Sequence, residues 1–225
     1  IEPVFALESV NSASGNVHFD GSVLIKGDVL AGMTVQASGD IEVGGVVEAA
    51  SLDAGGNIVI KGGAIGDLGH KERGRHVLRC NGSFSAGYAS QARIEAGDSI
   101  FIDDTAMQCE LSAVNCIRVG NMKRGHIIGG RAQATFSITA KVIGSPKRVL
   151  TRFEIGVNPV LHTHLQEIVK NRETKEAQLF ELSKVLDFAR KNPARMPPEA
   201  LEKARNTAAL LASAIEEIRA DQMTL

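Results

Sequence analysis

Aliphatic residues recur every six positions at Val17, Val23, Val29, Val35, Ile41 and Val47, and after a one-residue slip the beat resumes at Leu52 and Ile58. A glycine usually stands two places before the beat, at Gly15, Gly21, Gly27, Gly39, Gly45 and Gly56. A Gly-x-aliphatic unit at this spacing describes a short strand, a turn and another short strand. Such a strand cannot bury its apolar face alone, so the repeat must stack on copies of itself.

Three steps make a longer period of about 17 to 18 residues, one coil of a solenoid. It is visible when Ala37-Ser38-Gly39-Asp40-Ile41-Glu42-Val43, Ala54-Gly55-Gly56-Asn57-Ile58-Val59-Ile60 and Ala96-Gly97-Asp98-Ser99-Ile100-Phe101-Ile102 are overlaid. Within each phrase the residues alternate: Ile41 and Val43 point inward while Asp40 and Glu42 point out, and Ile58 and Ile60 flank an outward Val59. The expected fold is therefore mainly β, a parallel β-helix. The composition agrees, with 23 Gly, no Trp, one Tyr and eight Phe, which suits tight turns around small aliphatic side chains.

The beat weakens at Gly66-Asp67-Leu68-Gly69-His70-Lys71-Glu72-Arg73-Gly74-Arg75-His76, a basic, Gly-punctuated stretch that is expected to be a loop inserted between coils. Regular coils return from about Val77 to Ile143. From Asn158-Pro159 the period changes to a four-three spacing through Leu161, Leu165, Ile168, Arg172, Lys175, Leu179, Leu182, Leu186 and Ala189. That is a heptad seam. Asn192-Pro193-Ala194-Arg195-Met196-Pro197-Pro198 breaks it, and a second seam follows at Leu201, Ala204, Ala208, Leu211, Ile215, Ile218, Gln222 and Leu225. The expected organisation is a β-helix over residues 1–155, with its insertion near 66–76, and an antiparallel coiled-coil helical hairpin over 156–225.

The series Gly27-Asp28-Val29, Gly32-Met33-Thr34-Val35, Gly39-Asp40-Ile41-Glu42-Val43-Gly44-Gly45-Val46-Val47-Glu48-Ala49, Gly56-Asn57-Ile58-Val59-Ile60-Lys61-Gly62-Gly63 and Ile128-Gly129-Gly130 resembles the flagellar assembly protein A family. Thr151-Arg152-Phe153-Glu154-Ile155-Gly156-Val157-Asn158-Pro159 resembles that family's step from β-helix into coiled coil. The resemblance implies a right-handed β-helix, a role in bacterial flagellar biogenesis, and no enzymatic activity. It also implies a separate domain before this segment and more β-structure after the hairpin.

The residues offer little chemistry against that expectation. Left-handed β-helix acyltransferases share the six-residue beat and use a histidine as general base, but their repeat places a small residue directly after the aliphatic one. Here that position holds Leu24, Leu30, Gln36, Glu42 and Glu48, which disfavours both the hand and the activity; His18, His70, His76 and His126 are candidates by residue type alone. Gly120-Asn121-Met122-Lys123-Arg124-Gly125 lacks the Lys-Ser/Thr ending of a phosphate loop and reads as a turn. His162 and His164, two apart on a helix, face different ways and cannot share a metal as an i, i+4 pair could. Cys80, Cys109 and Cys116 are an odd set without CxxC spacing and are expected to be buried free thiols. No catalytic residue, cofactor or metal ligand is expected.

What remains is surface. A net charge of -1 and a pI near 6.7 supply no field for nucleic acid or an anionic bilayer. The sequence also has no signal-peptide pattern or spanning apolar run, so a cytoplasmic location is expected. The insertion residues His70, Lys71, Arg73, Arg75 and His76 are candidates for docking an acidic bacterial protein linked to flagellar assembly, with recruitment to the flagellated pole. Arg172 and Lys175, polar in the middle of a seam, are either a register-setting pair or a second partner-facing patch. Homodimerisation through the hairpin and bactofilin-like stacking of open end coils are the two self-association routes expected.

Overall fold

The computed structural model describes residues 3–68, 76–121, 124–146, 148–156, 158–191 and 197–224. The chain divides into two compact units, Ile1–Pro159 and Val160–Leu225. Unit one is a parallel β-solenoid of eight rungs, each contributing to three strand columns. The first column stacks Val4–Leu7, Ser22–Ile25, Ile41–Val43, the start of Ile58–Ile65, the start of Phe84–Ser90, Ile100–Ile102, Cys116–Val119 and Ser137–Ala140. The second stacks Val10, Val29, Val47–Glu48, the ends of Ile58–Ile65 and Phe84–Ser90, the starts of Thr105–Ala113 and His126–Ala134, and Val142–Ile143. The third stacks Val17–Phe19, Thr34–Ala37, Ser51–Ala54, Leu78–Cys80, Arg93–Ala96, the ends of Thr105–Ala113 and His126–Ala134, and Thr151–Ile155.

The six-residue beat is the path from one column to the next. Val17, Val23 and Val29 are the inward residues of the third, first and second columns, and Val35, Ile41 and Val47 repeat that order one rung on. The slip before Leu52 is a shorter corner between the second and third columns of rung three. Inward positions are nearly dry: Ile25, Val29, Val35, Ile41, Val43, Ile58, Ile94, Ile100 and Ile117 are each 0% exposed. Burying one such side chain contributes about 1.5–3 kcal/mol. At the upstream end the rings of Phe5 and Phe19 stack with centroids 5.4 Å apart. The last strand, Thr151–Ile155, lies beyond the coils expected from the sequence, within the stretch read as a transition into helix.

Corners are held by two devices. Where rungs crowd, glycine is required: a Cβ on Gly55 would drive into the Ser38 carbonyl oxygen, backbone that cannot move aside. At the corner entering the first column a polar ladder climbs six successive rungs. Ser22 Oγ accepts from the Asp40 N–H (3.0 Å), and Asp40 Oδ1 accepts from the backbone N–H (2.6 Å) and Nδ2 (3.1 Å) of Asn57. Asn57 Oδ1 accepts from the Ser83 N–H (2.9 Å), Ser83 Oγ donates to Asp98 Oδ2 (2.7 Å), and Asn115 Nδ2 donates to Asp98 Oδ1. The side chains of Ser22, Asp40 and Asn57 each satisfy a backbone N–H of the next rung's corner, and the upper steps join side chain to side chain.

Unit two is a pair of helices, α1 over Pro159–Lys191 and α2 over Pro198–Thr224, about 50 and 40 Å long at 1.5 Å per residue. Arg172 meets Gln222 and Glu176 meets Arg219, so residue numbers rise on α1 as they fall on α2, the antiparallel sense. The seam residues from Ile168 to Ala189 and from Leu201 to Gln222 are buried or half-buried, with Ala189 at 3% and Ile215 at 4% exposure. Leu161 and Leu165, at the start of the first seam, are 49% and 36% exposed instead.

Three stability tests follow from the β-unit. Ile58→Ala removes a fully buried side chain and should cost about 2–5 kcal/mol in urea unfolding, while Asn57→Ala, which removes two hydrogen bonds of the ladder, should cost about 1–3 kcal/mol. Hydrogen bonds from Ser83, Asn115 and Ser99 hold the Asp98 carboxyl below the usual carboxylate range. A lowered folded-state pKa contributes stability above the unfolded value, near pH 4, that disappears as pH falls through the folded value. The stability gap between wild type and Asp98→Asn should therefore be widest near neutrality and shrink as unfolding is measured down to pH 2.

Candidate docking surfaces

Alternation within each strand sends every second side chain outward, and stacking turns these into stripes along the solenoid. The third column's outward stripe runs from His18 and Gln36 through Asp53, Arg79 and Glu95 to Ser112, Gln133 and Glu154, polar at every rung. It carries cross-rung ion pairs: Arg79 to Glu95 at 2.8 Å and Arg131 to Glu154 at 2.5 Å. The first column's stripe is mixed, with Arg118 set 5.9 Å from the centre of the Phe101 ring, a cation–π contact. The second column turns an aliphatic or aromatic residue outward at most rungs, beside polar ones such as Glu48 and Ser90.

In the chain the basic insertion falls between the second-column strand Ile58–Ile65 and the third-column strand Leu78–Cys80 of rung four. His70, Lys71, Arg73 and Arg75 lie outside the described residues. Its last residue, His76, is described: Nδ1 sits 2.9 Å from Asp67 Oδ2, and the two side chains are only 19% and 20% exposed. The pair ties together the two ends of the insertion.

On the hairpin, Arg172 Nη1 donates to Gln222 Oε1 at 2.8 Å, and its Nε lies 3.7 Å from Glu176 Oε1. Arg219 binds the same Glu176 oxygen at 3.1 Å and Glu216 at 2.8 Å. Arg172 therefore belongs to a cross-helix polar cluster, which sequence spacing could flag as an oddity in the seam but could not pair with a residue 50 positions away. Lys175 is half-buried beside it. Next to the cluster, Leu179, Phe180, Ser183, Ala212 and Ile215 line a groove of about 470 Å³. Phe180 remains 61% exposed there, with Lys184 Nζ 4.2 Å from the centre of its ring.

The remaining reactive side chains are dispersed. All three cysteines are free; burial pushes the Cys80 and Cys109 thiols up to about 11, which suppresses the reactive thiolate. Cys116 departs from the expected full burial: it is half-buried, with Sγ 3.4 Å from Ser99 Oγ. Among the described residues no three His, Cys, Asp or Glu side chains gather as a metal site, and none of the helices is long and apolar enough to cross a membrane.

These features define a β-solenoid repeat protein whose distinguishing chemistry lies on its outer faces. Residues 3–225 match the Flagellar Assembly Protein A beta solenoid domain, and the chain belongs to that family. No curated protein and no solved structure matched it.

The hairpin separates packing from surface charge in a measurable way. Ile215→Ala should cost about 2–5 kcal/mol. A double-mutant cycle between Glu176 and Arg219 should return a coupling of about 0.2–1 kcal/mol that falls as salt is raised from 0.05 to about 0.5 M.

Proposed function

We propose that this chain is a non-enzymatic scaffold that holds another protein during flagellar assembly, acting through side-chain contacts on its outer surfaces. The observation that carries this is the filled interior of the solenoid. Inward positions from Val10 to Ala134 are occupied by aliphatic, alanine and other apolar side chains, so stacking consumes the inside and leaves the outward stripes for recognition. Membership of a flagellar assembly family supplies the process.

In this reading the insertion bearing His70, Lys71, Arg73, Arg75 and His76 selects an acidic partner and speeds encounter with it, more strongly at low salt. The partner is a bacterial protein linked to flagellar assembly, met in the cytoplasm at the flagellated pole. The hairpin serves homodimerisation: Phe180 and Leu210, 61% and 72% exposed, are apolar surface that a second hairpin could cover.

Self-assembly through the solenoid end is the second reading. It is favoured by the last rung, where Ile143 and Ile155 follow the inward registers of Ile127 and Ala134 yet are 57% and 55% exposed.

Affinity capture from a lysate of flagellated bacteria, with the intact chain and with Lys71, Arg73 and Arg75 changed to Glu, tests the proposal. A protein retained by the first and lost by the second is the expected result. Equal capture by both moves the site to the hairpin or the outward stripes. No capture, together with sedimentation that keeps growing with concentration, replaces docking with self-assembly.

A further inference from the structure

Six residues far apart in sequence come together on the second column. Each rung turns two second-column residues outward, one on either side of the inward residue; Leu30, Val46, Ile65, Tyr88, Met107 and Ile128, one per rung from two through seven, zigzag between two rows whose other members are Asp28, Glu48, Gly63, Ser90, Thr105 and His126. They are fixed there by the registers Val29 to Val47, Glu48 to Ile65, Tyr88 to Gly63, Ser90 to Met107 and Met107 to Ile128. Leu30, Ile65, Tyr88 and Met107 are 42%, 39%, 38% and 43% exposed. The Tyr88 ring lies over Gly63, where any Cβ would collide with it, so the aromatic face is spread along the sheet. The third column of the same solenoid is polar at every matching rung. An apolar outward residue at every one of these rungs is therefore a property of the second column and not of the composition, although polar residues such as Glu48 and Ser90 stand beside them.

Strand addition cannot occupy this face, because each of these rungs is already paired on both sides. The partner must lay side chains on side chains. Six rungs at about 4.8 Å make a band about 24 Å long, and its two outward rows, about 7 Å apart along the strands, give it with their side chains a width close to the 10–12 Å diameter of one helix. That footprint falls well short of the roughly 1,200 Å² that a stable dimer buries.

Charge argues the same way. Glu48 stands exposed within the stripe and makes no ion pair among the described residues. A second copy stacked face to face would lay Glu48 against Val46 or Met107, depending on which two-fold relates the sheets, and would bury it without a partner. A helix can meet it with a single Lys or Arg.

We propose that the second-column face docks one amphipathic helix of another protein, about 16 residues at 1.5 Å per residue, with apolar anchors at i, i+3 or i+4 and i+7 and a basic residue opposite Glu48. This rests on the docking function proposed above and names the kind of partner that function takes.

The test is selection of displayed 20-residue helical peptides on the full chain, followed by fluorescence anisotropy of the enriched peptides against outward-face variants. Enriched sequences should show the amphipathic spacing and one Lys or Arg. Their affinity should fall at least ten-fold for Ile65→Ser combined with Met107→Ser, and stay unchanged for Val59→Ser on the first column. Glu48→Lys should reverse the preference to an acidic residue. Circular dichroism of each variant checks that these outward changes leave the fold intact. Selection that yields no amphipathic binders, or binders insensitive to the double variant, overturns the proposal. So does a dimer, seen by sedimentation, that the double variant dissolves. A lysate partner still captured by the double variant would remove this face while leaving the docking function standing.

Discussion

Hydrogen bonding between rungs is the constraint on which the rest of the β-unit depends. A strand of three or four residues has no stability of its own, but here each donates and accepts along the stack to strands about 17 residues before and after it. This pairing fixes the alternation of inward and outward side chains, since a slip of one residue would turn every inward aliphatic to solvent. Length can therefore vary only where no strand is paired. The insertion and the Gly120–Gly125 segment both obey that rule, lying in the chain between the paired strands Ile58–Ile65 and Leu78–Cys80 and between Cys116–Val119 and His126–Ala134. The polar ladder from Ser22 to Asn115 serves the same end by keeping one corner in register through six rungs.

Much of this architecture was legible in the residues, because its physics is local. The step from Val17 to Val23 to Val29 measures one side of the solenoid, and the alternation around Glu42 and Val59 shows which side chains enter the core. The hairpin seams were legible for the same reason, the four-three spacing from Ile168 onward being a face of a single helix. What escaped depends on pairing between distant residues. Leu30, Val46, Ile65, Tyr88, Met107 and Ile128 have no common spacing, since corners of different length separate them and Val46 and Tyr88 lie on the other side of the inward residue, and only the strand registers bring them onto one face. Asp40, Asn57, Ser83 and Asp98 look like ordinary turn residues until stacking joins them. The partners of Arg172 could not be inferred from its seam position, and the basic insertion was legible as an interruption of the beat but not as a geometry.

The three outward stripes divide the labour of a repeat protein. The third column turns polar side chains outward at every rung, with ion pairs from Arg79 to Glu95 and from Arg131 to Glu154. The first column mixes the two chemistries, as where Arg118 rests against Phe101. The second concentrates apolar surface. A helical hairpin follows with its own cross-helix cluster around Glu176 and Arg219. The two units thus rest on different balances of forces: an aliphatic column closed by backbone hydrogen bonds in the first, and a seam of Leu, Ile and Ala edged by charge in the second.

Parallel stacking has a further consequence for how such a chain changes over generations. Because every strand in a column runs the same way, the rung from Gly39 to Gly55 begins and ends at equivalent corners, and rung two presents to rung three much the same backbone that rung three presents to rung four. A whole coil is thus a modular length of chain whose duplication or loss rejoins matched edges. The reach of each face can grow or shrink by one rung height at a time, while a solitary residue gained within a strand would scramble everything it pairs with.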